Sequence, residues 1–409
     1  MKNDKLDIFR TSMFLVTAMF GVGIISLPKA FLNGGYLLSF LFLGLIGYFT
    51  FISFSCLAIS AHILGENKRE MTYFDVCKNI HPSIGILLEF GVMFGAIMTC
   101  NIFLKYITDW IITILLPVVN LHLSRYWVAA IILLLLFVPS IQKDFKRLQF
   151  AGYLSIISFI SLFFILIYYF IALEKPNIPI KPIGNNIAAG IGPLLFSFSA
   201  QMNAINIFNR LKNPTIRRCF YFSGLAIIIS GIFNFGVGFL GYFTFRNYSN
   251  IDIISLICIA DSPGAKMIQE TWDKKLILSK IAVFSFCILL SSGYCIRMNP
   301  ARRSIMNLLS TIIKKEFTEK TELQLRILFT LLIFAINYIV TVWNIEADVL
   351  ISMSACTLSP IICFYLPSFA YLKATNYKKS LFKNLVILNI FCGIFIMIFV
   401  MYGLIFQRK

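Results

Sequence analysis

Two short stretches carry residues whose types and spacing suit binding of a small charged molecule rather than bond-making chemistry. The first is Phe20-Gly21-Val22-Gly23-Ile24-Ile25-Ser26-Leu27-Pro28, an apolar run broken by two glycines and a proline. The second is Gly190-Ile191-Gly192-Pro193-Leu194-Leu195-Phe196-Ser197-Phe198-Ser199-Ala200-Gln201-Met202-Asn203, in which Gly and Pro precede a run rich in Ser, Gln and Asn. Glycine weakens a helix through its freedom and proline removes a backbone donor, so both stretches predict broken helices. A break leaves free N–H groups and a positive dipole end that suit a carboxylate, and free carbonyls that suit an ammonium group or a cation. Taken alone, the first stretch reads equally well as a kink or a close helix crossing permitted by Gly21 and Gly23.

Other chemistry has little support. His62, His81 and His122 are far apart and give no metal-ligand spacing. The sequence has no Gly-x-x-x-x-Gly-Lys-Ser/Thr loop for a nucleotide-driven pump, and no Ser/His/Asp set or carboxylate pair for a membrane enzyme. Neither a metal nor an organic cofactor is expected.

The elements that must position the two stretches follow from composition. Of 409 residues, 59% are hydrophobic and 13% charged; ordinary soluble domains are nearer one half and one quarter, roughly. The apolar residues form blocks of about 20, the length that crosses a hydrocarbon core of ~30 Å as a helix. A dry core admits only helices or a closed barrel, and the alternating segments of a barrel are absent. The chain is therefore read as an all-α integral membrane protein with about eleven spans. These fall at 9–31, 35–61, 84–115, 125–141, 149–173, 187–209, 218–245, 277–298, 325–344, 348–372 and 384–406. Residues 66–80 read as an interfacial segment, and 247–275 and 299–323 as the longest hydrophilic interruptions. Neither interruption is large enough to form a soluble domain with its own core, so residues 1–409 are read as one transmembrane domain. The first block is expected to stay as a helix, since it lacks a convincing cleavage site.

A net charge of +18 does not indicate nucleic acid here, because most Lys and Arg lie between apolar blocks. Lys143, Lys146, Arg147, Arg210, Lys212, Arg217, Arg218, Arg302, Arg303, Lys314 and Lys315 fall on one side, which predicts a cytoplasmic amino terminus. The sequon Asn247-Tyr248-Ser249 falls on the other. The ten cysteines read as small helix residues, and with only Cys258 in an outer loop no exofacial disulfide is expected.

The two breaks lie five spans apart, at equivalent places in two five-helix halves. Interrupted helices at matching places are the best sequence pointer to a transporter site. At these residues the chain resembles the amino acid/auxin permease family, which includes neutral amino acid transporters of plasma membranes, vacuoles and lysosomes. Gly21 to Phe31 with Asn33-Gly34-Gly35 is similar to that family's first-helix signature. Phe198-Ser199-Ala200-Gln201, then Phe208, Leu211 and the basic run to Arg218, resembles its sixth-helix motif. Asn299-Pro300-Ala301-Arg302-Arg303 resembles the end of its eighth helix. Ser352-Met353-Ser354-Ala355, Phe364-Tyr365-Leu366-Pro367-Ser368 and Tyr371-Leu372-Lys373 resemble its tenth.

The resemblance implies a LeuT-type fold: two inverted repeats of five helices, 9–173 and 187–372, plus an additional helix at 384–406. It implies a substrate site in which Gly21, Val22, Gly23 and Ile24 offer backbone donors to a carboxylate. Phe196, Ser197, Phe198 and Ser199 would offer carbonyls and side-chain contacts to the amine and side chain. Thr17, Ser291 and Ser292 would hold a coupling cation, although the serines read equally well as small packing residues. Three departures stand out. Thr17 occupies a position where sodium-coupled relatives have Asn, which puts sodium coupling in doubt. Gln201 stands where many have His, which removes a pH sensor. Arg210 replaces a common Glu.

The expected function is secondary transport of an amino acid by alternating access, with sodium, protons or nothing as the driving ion. The lining shows backbone polarity, Phe and Ser and no deep charge, which favours a neutral substrate. The bilayer and the amino acid are the expected partners; nucleic acid is not. The plasma membrane or a vacuolar or lysosomal membrane is the expected location, with nothing in the short amino terminus to choose between them. An amino acid sensor that binds without transporting is the alternative; it is disfavoured because so little chain flanks the spans, and a membrane-embedded enzyme ranks last. Glu89, about a turn or two from the inner end of the third span, reads as a proton-coupling acid or, equally well, as one that snorkels or pairs with an inner Lys or Arg. Lys105 and Asp109 are expected to pair with each other.

Overall fold

The computed structural model describes residues 6–65, 71–142, 145–259, 262–271, 276–313, 318–345, 347, 350–351, 354, 359–377 and 380–406. Within them the chain is helical, apart from one parallel bridge between Leu6 and Leu211. The first apolar block forms three pieces, α1 (Ile8–Met19), α2 (Val22–Ile25) and α3 (Leu27–Gly34), before the long α4 (Tyr36–Leu64). Then come α5 (Tyr73–Lys78) and α6 (Pro82–Trp110), which passes through a π-helical turn at Ile111–Leu115 into α7 (Leu116–Val118). α8 (Arg125–Ile141) and α9 (Phe145–Ala172) precede a second divided block, α10 (Ile187–Phe196) and α11 (Gln201–Phe208). After α12 (Ile216–Phe245) come two short helices, α13 (Ile253–Cys258) and α14 (Pro263–Thr271). α15 (Leu276–Ile313) and α16 (Glu319–Val342) follow, then a π-helical turn at Ile361–Tyr365 with α17 (Leu366–Ala374), and finally α18 (Leu381–Phe406).

Six of these runs are long and apolar enough to cross a membrane by length and composition: 36–64, 82–115, 216–248, 279–313, 319–342 and 381–402. Shorter apolar helices at 8–19, 125–141, 156–172 and 361–374 overlap further predicted spans. The outer surface suits lipid: Leu134, Leu135 and Ile171 are each more than 70% exposed, a pattern that water would penalise and hydrocarbon accepts. Inside, helices are joined by small polar residues. Ser12 Oγ donates to the Phe222 carbonyl at 2.9 Å, Ser55 and Ser223 share a hydrogen bond of 2.9 Å, and Asn389 Nδ2 donates to Ser368 Oγ at 2.9 Å. Such bonds contribute about 0.6 kcal/mol each on average within membranes.

Hydrogen bonds sort the connections into two ends. At one, Leu6 N–H donates to the Arg210 carbonyl (2.7 Å), Asn209 Nδ2 to the Met71 carbonyl (2.7 Å) and Arg302 Nη2 to the Gln142 carbonyl (3.3 Å). This is the basic end. At the opposite end Tyr36 N–H donates to the Lys181 carbonyl (3.1 Å), and Lys105 Nζ to Asn344 Oδ1 (2.5 Å). Lys105 pairs with Asp109 at 3.1 Å as expected, and Arg125 adds a second cation to that acid at 2.6 Å.

Three stretches differ from the sequence expectation. α15 runs on through 299–313, where an interruption was expected. Arg302, 3% exposed, donates to Asn299 Oδ1 at 2.5 Å and to Thr330 Oγ1 at 3.3 Å, while Ala301 and Ser304 are buried beside it. In the loop 247–275, α13 buries Ile253, Ile254, Leu256 and Ile257 completely, and Trp110 Nε1 reaches Ser255 Oγ at 3.3 Å. In the segment 66–80, of which 66–70 lie outside the described residues, α5 is fixed by a capping box between Thr72 and Asp75. It docks on the bundle through Tyr73, whose hydroxyl donates to the Ile362 carbonyl at 2.8 Å. Of the sequence features, Ser352, Met353, Ala355, Lys143, Lys314 and Lys315 also lie outside the described residues.

Candidate functional site

The two breaks meet. α1 ends at Met19, Phe20 and Gly21 are extended, and α2 restarts at Val22 with no side-chain cap, so its first amides begin a new helix end. α10 ends at Phe196, and residues 197–200 turn before α11 starts at Gln201. A Cβ added to Gly23 would lie 2.7 Å from the Ser197 nitrogen and 2.9 Å from the Phe196 carbonyl carbon, so the backbones touch at this point. Glycine is required here by close approach.

Around this contact stand side chains from four other helices. Phe103 of α6 wedges its ring between Gly21 and Gly293: a Cβ at those glycines would meet it at 3.3 and 2.7 Å. From α12, Asn234 Nδ2 donates to Ser197 Oγ at 3.1 Å and to the Ser197 carbonyl at 3.5 Å, pinning the turn. Cys363, in the π-helical turn before α17, donates to Gln201 Oε1 at 3.1 Å and lies 3.6 Å from Ser199 Oγ. Gln201 also accepts from the Ala200 N–H at 3.0 Å. The residue in the histidine position of the motif therefore caps its own turn. Ser26 Oγ and Asn234 Oδ1 are buried without a hydrogen-bond partner among the described residues, which leaves polar capacity beside each break.

Of the predicted site residues, Gly21, Gly23 and Ile24 are buried at the first break, with Val22 on the same turn. Phe196, Ser197 and Phe198 are buried at the second, and Ser199 is half-buried. Phe198 turns its ring tip toward Gly47 of α4, where an added Cβ would meet it at 3.4 Å. Of the proposed cation residues, Thr17 Oγ1 donates to the Met13 carbonyl (2.9 Å) and Ser292 Oγ to the Leu289 carbonyl (2.8 Å), each on its own helix. Among the described residues no hydrogen bond links Thr17 to Ser291 or Ser292.

The expectation of a lining without deep charge is corrected by Arg297 of α15. It is 7% exposed, and its guanidinium carbon lies 5.8 Å from the Phe103 ring centroid and 5.9 Å from that of Phe196. Its Nη2 donates to the Ser199 carbonyl at 3.4 Å, directly on the second break. In the sequence Arg297 stands just before a basic run, at what reads as the end of a span. The span continues to Ile313, so the arginine is interior. The available signal was Asn299-Pro300: a helix that continues through its proline places the residues before it inside.

A cavity of roughly 450 Å³ opens at the basic end, lined by Asn206, Asn299, Arg302, Arg303, Glu322 and Arg326 among others. Glu89 stands beside it, 5% exposed, and accepts from Asn307 Nδ2 at 2.6 Å. No ion pair within 4 Å joins Glu89 to a basic side chain among the described residues, and the Asn307 amide donates a hydrogen bond to it. Asn307→Leu is expected to cost about 1–3 kcal/mol, because the buried Glu89 carboxyl is left without this donor. Glu89→Leu in the same chain should restore most of it, since both partners are then apolar. Thermal-unfolding midpoints of the single and double variants check this, and equal losses in both would exclude the pairing.

The chain matches the family described as transmembrane amino acid transporter protein over residues 4–406. An amino acid transporter of Plasmodium berghei is 28% identical over 60% of this chain and 40% of its own length, so the chain spans about two fifths of that relative. A vacuolar amino acid transporter of Schizosaccharomyces pombe is 23% identical over 74% of this chain and 69% of its own. A Danio rerio protein named as a sodium-coupled neutral amino acid transporter is 22% identical over 97% of this chain and 86% of its own.

Proposed function

The chain belongs to the transmembrane amino acid transporter family, and from that premise we propose that it carries neutral amino acids across a membrane by alternating access. One observation carries the reading: the breaks at 20–21 and 197–200 touch through Gly23 and Ser197. An amino acid zwitterion needs donors for its carboxylate and acceptors for its ammonium group within a few ångströms. In this reading the amides of Gly21 to Ile24 take the carboxylate. The carbonyls and side chains of Phe196 to Ser199 take the amine and the side chain. The names of the S. pombe and D. rerio relatives point the same way.

The fold in this reading has eleven spans: two inverted repeats of five (9–173 and 187–372) and a final helix at 384–406, all one transmembrane domain. The basic end and the amino terminus face the cytoplasm, in the plasma membrane or a vacuolar or lysosomal one. The opposite end is closed by buried α13, and the cavity at the basic end is the inner half of the path. A coupling ion, sodium or proton, is the remaining part; Thr17, Ser291 and Ser292 are the hydroxyls that would take sodium.

The test is uptake of a radiolabelled amino acid mixture into proteoliposomes of the full chain, with sodium and pH gradients imposed separately. Uptake driven by one gradient establishes transport and its coupling ion together. Uptake indifferent to both makes the protein a facilitator. Binding by folded protein with no uptake would put an amino acid sensor in place of a transporter.

A further inference from the structure

Resting on that reading of the site, we propose that Arg297 is its specificity-determining residue: a fixed cation at the second break that receives a carboxylate of the substrate and rejects cationic amino acids. A guanidinium buried at membrane depth is costly and is retained when something pairs with it. Among the described residues no carboxylate lies within 4 Å of Arg297. Its hydrogen bond is one Nη2 contact to the Ser199 carbonyl at 3.4 Å, and its planar faces rest against Phe103 and Phe196. The rings and the carbonyl orient the group without neutralising it. Buried Arg302 on the same helix is held by Asn299, Thr330 and Gln142, and Asp109 holds Lys105 and Arg125 at 3.1 and 2.6 Å. Arg297 is held, among the described residues, by the single hydrogen bond to the Ser199 carbonyl.

Position makes the unneutralised charge consequential. Phe103, which Arg297 faces, also packs against Gly21 at the first break, and Phe196 and Ser199 belong to the second. A substrate held between the breaks is therefore enclosed with the guanidinium. A carboxylate supplies the missing counter-charge, and the planar fork of arginine matches it in two parallel hydrogen bonds. A lysine- or arginine-like substrate brings the same α-carboxylate but adds a second positive charge to that dry space, and among the described residues no carboxylate of the protein stands ready to offset it. The carboxylate has two sources, the α-carboxylate common to all amino acids or the side chain of an acidic one.

The test uses full-length protein in proteoliposomes, with competition against uptake of a labelled amino acid mixture by L-leucine, L-glutamate, L-lysine and L-leucinol. In the wild type, leucine or glutamate should compete, and lysine and the carboxylate-free leucinol should not. Arg297→Gln should raise KM roughly 10- to 100-fold, the loss expected for one charge-assisted pair, and should erase the exclusion of lysine. Arg297→Lys, which keeps the charge without the fork, should still exclude lysine. A KM rise for glutamate alone assigns the side-chain carboxylate; an equal rise for leucine and glutamate assigns the α-carboxylate. Lysine competing as well as leucine in the wild type overturns the proposal without any variant, and so does an unchanged KM and ranking in Arg297→Gln. If no amino acid is taken up or bound at all, the transport reading fails and this proposal falls with it.

Discussion

Gly23→Ala is expected to lower amino acid uptake by about two orders of magnitude while the protein still inserts and runs as a single species in detergent. The added methyl would lie 2.7 Å from the Ser197 nitrogen and 2.9 Å from both the Phe196 carbonyl carbon and Ser197 Cα. All three are backbone atoms, so no side chain can swing aside. The half-helices must separate by several tenths of an ångström, at a cost of roughly 1–3 kcal/mol in overpacking. That cost falls where donors and acceptors for the substrate must keep their spacing, and a displacement near 1 Å at a reacting or binding centre costs on the order of 100-fold. Gly44→Ala is the control: nothing lies within 4 Å of its added Cβ, and α4 should gain about 0.5–1 kcal/mol. Proteoliposome uptake measures the first and thermal unfolding the second. A Gly23→Ala protein with wild-type KM would take the first break out of the site.

That each of these stretches holds a break could be read from its glycines and proline, which weaken a helix, but where the break falls depends also on what packs against it. Phe20 to Pro28 divides at Phe20 and Gly21, within the glycine-bearing stretch, whereas α10 runs on through Gly190, Gly192 and Pro193 and the second block divides only after them, at 197–200. Contacts between distant segments were not legible. That Gly23 meets Ser197 follows from the crossing of two helices, and no pattern within either segment encodes it. Arg297 was hidden for a related reason: a polar run after it looked like a span's end, yet Arg302 finds acceptors in Gln142 and Thr330 and α15 continues. The buried α13 was hidden by its neighbours. Six residues between charged flanks read as loop, although Ile253, Ile254, Leu256 and Ile257 bury fully against the bundle. Side-chain direction also escaped the sequence at Phe198, whose ring turns toward Gly47.

Gly35→Ala is expected to act at a different level, by reducing the yield and stability of folded protein while leaving substrate ranking unchanged. Gly35 has φ +79° and ψ 156°, a region that essentially only glycine enters. Its added Cβ would lie 2.5 Å from both the Gly184 nitrogen and the Pro182 oxygen. Strain and overpacking together give a cost of about 3 kcal/mol or more. The position is a joint. Gly184 N–H donates to the Gly34 carbonyl at 2.9 Å, Asn186 N–H to the Asn33 carbonyl at 3.0 Å and Leu37 N–H to the Pro182 carbonyl at 3.1 Å. These bonds tie the end of the first divided block to the chain that enters the second. The joint fixes how the two blocks start toward each other, while the Gly23 contact fixes what lies between them. Alanine at 35 should therefore lower the unfolding midpoint of the protein by several degrees, with KM per folded molecule close to wild type. Alanine at 23 should instead change uptake far more than the midpoint, which falls less than in the alanine variant at 35. If both variants lost stability equally and bound equally well, the contact between the breaks would be packing alone. A midpoint for Gly35→Ala equal to wild type would mean that this joint does not exist in the folded protein.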